Sequence, residues 1–357
     1  MHDSPLSILI AGAGPTGLSA AIELTRLGVP VRILEKETSR SGLSRALGIN
    51  ARSLELLEES GVTERLLERA RKVYGISFRQ GKELLWRVEF SRVNHQYRFI
   101  LVYPQHSTEE TLEERLNQLG ISVERGVALE TFKDEGEFVS VQLSNGETGN
   151  YRYLFGADGS HSTVRHQLEL NFSGHRETHP WSLADVKLAW NLDEPDANVI
   201  FLPSGMVFIM RISGDVYRIA ADRPEVLEQL PKEVSVGEIL WQTDFFVSHR
   251  LVERYSVGRI FLGGDAAHLH SPLGGRGMNL GIEDAIRFAR RCNEGTLPEY
   301  AAERLAAGKR TVKLVSRITS IATAKNPVLR ALRTHFLPHL FRLPLINSRI
   351  ATAMSGL

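Results

Sequence analysis

Three clusters of glycine and carboxylate residues carry the chemistry this sequence could perform. The first is Gly12-Ala13-Gly14-Pro15-Thr16-Gly17, followed twenty-three residues after Gly12 by Glu35, with Lys36 beside it. Glycines at such a turn let main-chain N–H groups approach a pyrophosphate at the positive end of a helix, and the last of them lets helix and strand touch. A carboxylate at that distance can accept hydrogen bonds from ribose hydroxyls, so the unit reads as a dinucleotide site; these residues leave NAD and FAD both open. The second cluster is Gly156-Ala157-Asp158-Gly159-Ser160-His161-Ser162-Thr163-Val164-Arg165. The third is Gly263-Gly264-Asp265-Ala266-Ala267-His268, then Ser271-Pro272-Leu273-Gly274-Gly275-Arg276-Gly277-Met278-Asn279 and Glu283-Asp284-Ala285. Here a glycine-rich bend opens a helix whose first amides stabilise negative charge of the kind a reduced flavin develops at its pyrimidine end. That selects FAD.

Positioning these clusters requires particular elements. Leu6–Ala11 is apolar and short enough for a buried parallel strand running into the first turn. A helix from about Thr16 to Leu27 follows, with Ala20, Ala21, Leu24 and Leu27 at helical spacing, and Gly28 ends it before the strand Val31–Leu34. Gly258–Leu262 leads to Asp265 as a strand. In between, alternating runs such as Tyr74–Phe78 and Val207–Ile212 read as an antiparallel sheet. Helical stretches over Leu305–Ala324 and Val328–Leu340 close the chain.

The three clusters, in this order, resemble the fingerprints of group A flavoprotein monooxygenases of the para-hydroxybenzoate hydroxylase type, over roughly residues 6–290. The resemblance implies an α/β fold: a Rossmann-like FAD-binding domain (1–72, 103–173 and 256–290) interleaved with an antiparallel-sheet substrate domain (73–102 and 174–255), plus a C-terminal helical segment (291–357). By the same resemblance Gly12, Gly14, Pro15, Thr16, Gly17, Glu35, Lys36, Asp158, Gly159, Asp265, Gly275, Gly277, Met278 and Asn279 hold FAD, with Pro272 near the flavin ring. Arg45 matches a family arginine near the pyrophosphate, and Gln105 a glutamine at the ribityl chain; Arg52 fits the pattern equally as a surface ion pair. The implied activity is an NAD(P)H-consuming hydroxylase that inserts one oxygen atom from O2 into an aromatic or other electron-rich small molecule through a flavin C4a-hydroperoxide. No side chain is assigned a proton-transfer role. The alternative is an FAD-dependent dehydrogenase or reductase without oxygen transfer, and a halogenase is disfavoured because Trp86, Trp181, Trp190 and Trp241 form no Trp-x-Trp-x-Ile-Pro motif. No second Gly-x-Gly-x-x-Gly is present, so NADPH or NADH would dock transiently near Asp158–Gly159, with Arg165 and C-terminal arginines as partners for a 2′-phosphate. Phe208, Met210, Arg211, His175 and Trp190 are candidates for the substrate wall.

Composition bounds the rest. Forty-three Lys and Arg against 42 Asp and Glu leave no charge bias toward nucleic acid. One cysteine, Cys292, excludes an internal disulfide and reads as structural, and the start of the chain lacks a secretion signal, so a cytoplasmic monomer or homodimer is expected. The sequence as given has no counterpart of the thioredoxin-like domain of larger phenol hydroxylases. His268/His270 and His335/His339 lack companion ligands, and no metal is expected. From Arg304 onward there are ten basic residues and no acidic one; a helical segment packed on its own domain is preferred to a surface for anionic lipid, and these basic residues are expected to matter little for turnover.

Overall fold

The computed structural model describes residues 7–40, 46–190, 197–203, 205–231, 234–273, 275–324 and 326–357. Ile8–Ala11 is apolar and buried at every position, as a strand covered on both faces must be. It pairs in parallel with Val31–Glu35 on one side and Tyr153–Gly156 on the other. Ile260–Leu262 extends this sheet in parallel beyond Tyr153–Gly156, Glu124–Arg125 adds to its far side, and Ser256–Val257 is an antiparallel edge. Ala11 lies opposite both Leu34 and Gly156, and Gly156 lies opposite Leu262. The strands therefore end at one level, and the loops leaving them share one crevice, which is where open parallel sheets bind ligands.

Two helices carry the loops away from that level. Pro15–Arg26 begins with proline at its first turn, where a missing N–H costs nothing. Gly277–Glu294 packs against it. A Cβ on Gly264 or Gly281 would meet Thr16 Oγ1 at 2.4 or 2.3 Å, so glycine at both positions is what lets the first and third clusters touch.

The second large sheet has seven strands in the order Ser235–Phe245, Trp181–Ala189, Val216–Ala221, Met206–Ser213, Ala197–Phe201, Gly75–Gln80 and Glu83–Glu89. Every pairing is antiparallel except Ala197–Phe201 with Gly75–Gln80, which is parallel. The exception follows from the interleaving: the chain leaves this sheet at Glu89, builds much of the other one, and returns, and so long a crossover permits a parallel joint that no hairpin could make. One face buries Val186, Ile200, Val207, Ile209 and Ile219. The other buries Trp86, Val88, Phe201, Met206 and Met210, together with Ala322 and Ala351 of the C-terminal helices.

Those helices are therefore packed on their own chain. Asn347 donates to Arg87 O at 2.6 Å and accepts from Glu89 N at 3.2 Å, while Arg342 Nε donates to Leu85 O at 2.7 Å. The outer strand's free main-chain groups are thus covered by side chains. Arg333 is fully buried, bonded to Ala322 O, with its guanidinium 4.2 Å from the Phe201 ring centre. No helix among the described residues is long and apolar enough to cross a membrane.

Candidate cofactor and substrate site

The first turn is shaped by two glycines and left open by the third. Gly12 adopts φ +101°, its N–H donates to Leu34 O at 2.8 Å, and a Cβ there would meet Ala157 O at 2.3 Å. A Cβ on Gly17 would meet Gly12 O at 1.9 Å, whereas one on Gly14 would meet nothing within 4 Å. Gly12 and Gly17 are required by the protein's own packing; Gly14 borders free space at the start of the Pro15–Arg26 helix. Glu35 accepts from Ala13 N at 2.9 Å through one carboxylate oxygen and from Glu37 N at 3.1 Å through the other, tying the second strand to the turn. Lys36 is exposed beside it.

The second cluster enters from the neighbouring strand. Ala157 N donates to Ala11 O at 2.8 Å, which brings Asp158 alongside the first turn. Asp158 accepts from Val164 N at 3.1 Å through Oδ2, while Oδ1 is buried without a partner. Burial pushes its carboxyl above the usual range, against hydrogen bonds from Ser162 and Val164. Gly159 follows at φ +79° with open space around it. Arg165 is 2% exposed and donates to Ala266 O at 3.0 Å and Ser160 O at 2.8 Å, with its guanidinium over the Phe172 ring. This corrects the expectation that it meets a 2′-phosphate: it ties the second cluster to the third.

The third cluster rests on a buried charge network. Asp284 accepts from Gly264 N at 3.0 Å, from Arg304 Nε at 2.6 Å, and pairs with His268 Nε2 at 2.8 Å. Burial alone would raise this carboxyl, but Arg304 and His268 outweigh it and hold it below the ordinary range. Arg304, first of the basic residues toward the end of the chain, is thus a buried structural partner of Asp284, which its basic surroundings in the sequence do not disclose. Asp265, at the tip of the turn, is exposed, as are Pro272 and Gly275, the latter at φ +60° with open space where a Cβ would stand. Gly277 opens the following helix and Met278 packs partly against the main core. Asn279 is fully buried: it accepts from Asn50 N at 2.9 Å and donates to Gly48 O at 2.8 Å and to Gly275 O. Its side chain is thus occupied in fixing the bend, a role the sequence pattern did not disclose.

Gln105, at the start of the helix Gln105–Gln118, accepts from Ala46 N at 3.3 Å and donates to Glu109 at 2.9 Å. Arg45 and Gly274 lie outside the described residues. Arg52 pairs with Glu55, in keeping with its ion-pair reading.

The seven-stranded sheet turns a mixed face toward these loops. Register partners across antiparallel strands share a face, and Met210, Arg218, Asp185 and Trp241 are successive partners. Arg218 makes two 2.7 Å contacts with Asp185, Trp241 Nε1 donates to Asp185 at 2.7 Å, and Arg218 reaches Ala46 O at 3.4 Å. Phe208 and Met210 belong to one apolar cluster with Leu47 and Leu273 of the loops. The other three wall candidates do not converge with them: Arg211 bonds Gly214 O at a hairpin, Trp190 packs edge-on to Tyr217, and His175 stands on another sheet. Sequence reasoning missed Asp185, Arg218 and Trp241; the signal available was charge inside two largely apolar strands, Asp185 and Lys187 in one and Arg218 in the other.

The family described as "FAD binding domain" matches residues 6–213 and 218–314. The 6-methylpretetramide 4-monooxygenase of Streptomyces rimosus is 34% identical, covering 99% of this chain and 70% of its own length. A rifampicin monooxygenase of Streptomyces venezuelae is 34% identical over 83% of this chain and 67% of its own. Among solved structures, the anhydrotetracycline hydroxylase of Streptomyces rimosus superposes with a TM-score of 0.84 at 28% identity, over 99% of this chain and 76% of that one. The p-nitrophenol 4-monooxygenase of Pseudomonas putida DLL-E4 shares the fold, with a TM-score of 0.87 at 20% identity over 98% and 97% of the two chains.

Proposed function

Because the chain belongs to the para-hydroxybenzoate hydroxylase-type flavoprotein monooxygenases, we propose that its crevice of three converging loops holds FAD and that the Met210–Arg218 face of the large sheet forms the opposite wall of a substrate pocket. The enzyme is an FAD-dependent monooxygenase that consumes NAD(P)H and O2 and inserts one oxygen atom, rather than a dehydrogenase. The observation that carries the site is the common level of Ala11, Leu34, Gly156 and Leu262, which brings the three clusters together.

The residues present suit FAD. Gly14 leaves room where a pyrophosphate would meet the amides opening the Pro15–Arg26 helix, with Pro15 and Thr16 framing that end. Glu35 keeps acceptor capacity for ribose hydroxyls, and Asp158 Oδ1 is a buried acceptor lacking a donor, which a hydroxyl would supply. We assign Arg45, Lys36, Gln105 and Asp265 to the same cofactor on the resemblance of their motifs alone. Bound FAD, once reduced, supplies the activation of dioxygen and its delivery to an electron-rich carbon. The helix opening at Gly277 would turn its positive end toward negative charge developing on the bound group, with the Asn279 side chain holding the bend that precedes it. Phe208, Met210 and Leu273 exclude water, and the Asp185–Arg218–Trp241 row offers polar orientation.

The division into pieces 1–72, 103–173 and 256–290 for FAD and 73–102 with 174–255 for substrate is retained on this reading. The relatives' tetracycline-type and rifampicin substrates support a fused-ring phenol as the substrate class. Aerobic NADPH and NADH consumption, measured with peroxide across phenolic, indolic and polyketide compounds, tests it. A fused-ring phenol should accelerate consumption with little peroxide; acceleration confined to another class would refute the substrate assignment.

A further inference from the structure

Away from the three fingerprints, two short strands assemble a ligand set no motif announces. Phe172–Arg176 and Ser248–Val252 pair antiparallel with His175 opposite His249, so both imidazoles share a face, and their rings stack at 5.0 Å. Gly174, at φ +144°, permits the close approach: a Cβ there would meet His249 O at 1.8 Å. Glu177 is fixed nearby by its N–H, which donates to Val247 O at 2.8 Å. One ligand atom from each of His175, Glu177 and His249 lies within 4.8 Å of the others.

Two features single this cluster out from ordinary surface polarity. His249 is 3% exposed, its Nδ1 is buried without a partner, and its Nε2 faces Glu177 Oε1 at 3.4 Å. Two ligands of one tetrahedral zinc ion, each bound at about 2.0–2.1 Å, stand about 3.3–3.4 Å apart. The fold holds His249 inside with Nε2 turned to the Glu177 carboxylate, and a cation between the two would replace that single 3.4 Å contact with two coordinate bonds. We propose that His175, Glu177 and His249 bind a borderline divalent cation of the zinc class, with a fourth position open to water on the exposed side of His175. Two imidazoles and one carboxylate suit Zn2+, Ni2+, Cu2+ or Fe2+ better than Mg2+ or Ca2+.

The test uses Zn2+ itself, titrated into the FAD-loaded protein by calorimetry, with zinc K-edge absorption on the product. One equivalent should bind, with nitrogen and oxygen ligands at about 2.0–2.1 Å. His175→Ala and Glu177→Gln, both at accessible positions, should each weaken binding at least about tenfold without changing the metal-free melting temperature. A control, His335→Ala with His339→Ala on the exposed C-terminal pair, should bind as wild type. Absence of stoichiometric zinc in the wild type, or equal affinity in His175→Ala and Glu177→Gln, overturns the proposal.

Discussion

Gly14 and Gly17 look alike in the sequence and do different physical work. Gly17 has no room for a Cβ because Gly12 O would lie 1.9 Å away, whereas Gly14 has nothing within 4 Å. Gly17→Ala must therefore displace backbone, at about 2–4 kcal/mol by denaturant unfolding. Gly14→Ala should leave the apoprotein's stability within about 0.5 kcal/mol and weaken FAD binding at least about tenfold, because the only thing it obstructs is ligand space. An unchanged flavin content in Gly14→Ala would remove the pyrophosphate from that turn. Asn279 teaches the converse lesson: a residue that a motif marks as a cofactor contact can have its side chain wholly engaged in holding the loop.

At the scale of elements, the strand His268–Leu269 leads from the Asp284 network into the Pro272 bend, and its next residue is sensitive to acid. His270 is pushed down to about 4, first by burial and then by His268, with Ser271 O acting in the opposite sense. Between pH 6.5 and 4 the unfolded chain takes up a proton at this site that the folded chain does not. Stability is therefore present in full above pH 6.5 and is lost as pH falls toward 4, by about 3 kcal/mol from this group. Urea unfolding from pH 7 to 4 should show that slope, and His270→Gln should flatten it; an equal slope in the variant would place the acid sensitivity elsewhere. The beginning of this region was legible in the sequence as a glycine-rich bend before a helix. Its support was not, because Arg304 lies twenty residues beyond Asp284 in a stretch that reads only as basic.

Across the whole molecule, the C-terminal segment acts as a cover. Asn347 and Arg342 take up main-chain groups of the Glu83–Glu89 strand, and Ala351 joins the core beneath it. Asn347→Ala should cost about 2–3 kcal/mol by leaving those groups unsatisfied, with flavin content per folded molecule unchanged. A loss below about 0.5 kcal/mol would mean that water replaces the clamp. What the sequence by itself determined was the local grammar: strand, glycine turn, helix and a carboxylate at the second strand, and the three fingerprints in order, whose family resemblance implies the cofactor and reaction class. These are legible because each depends on neighbours within some thirty residues. The tertiary structure alone decided which residues meet across long separations: the parallel joint at Ala197–Phe201, the Asp185–Arg218–Trp241 row and the meeting of His175 and Glu177 with His249. The reason is that register and helix packing, not spacing along the chain, set those distances, and a one-residue shift of any strand would turn the same side chains to the opposite face.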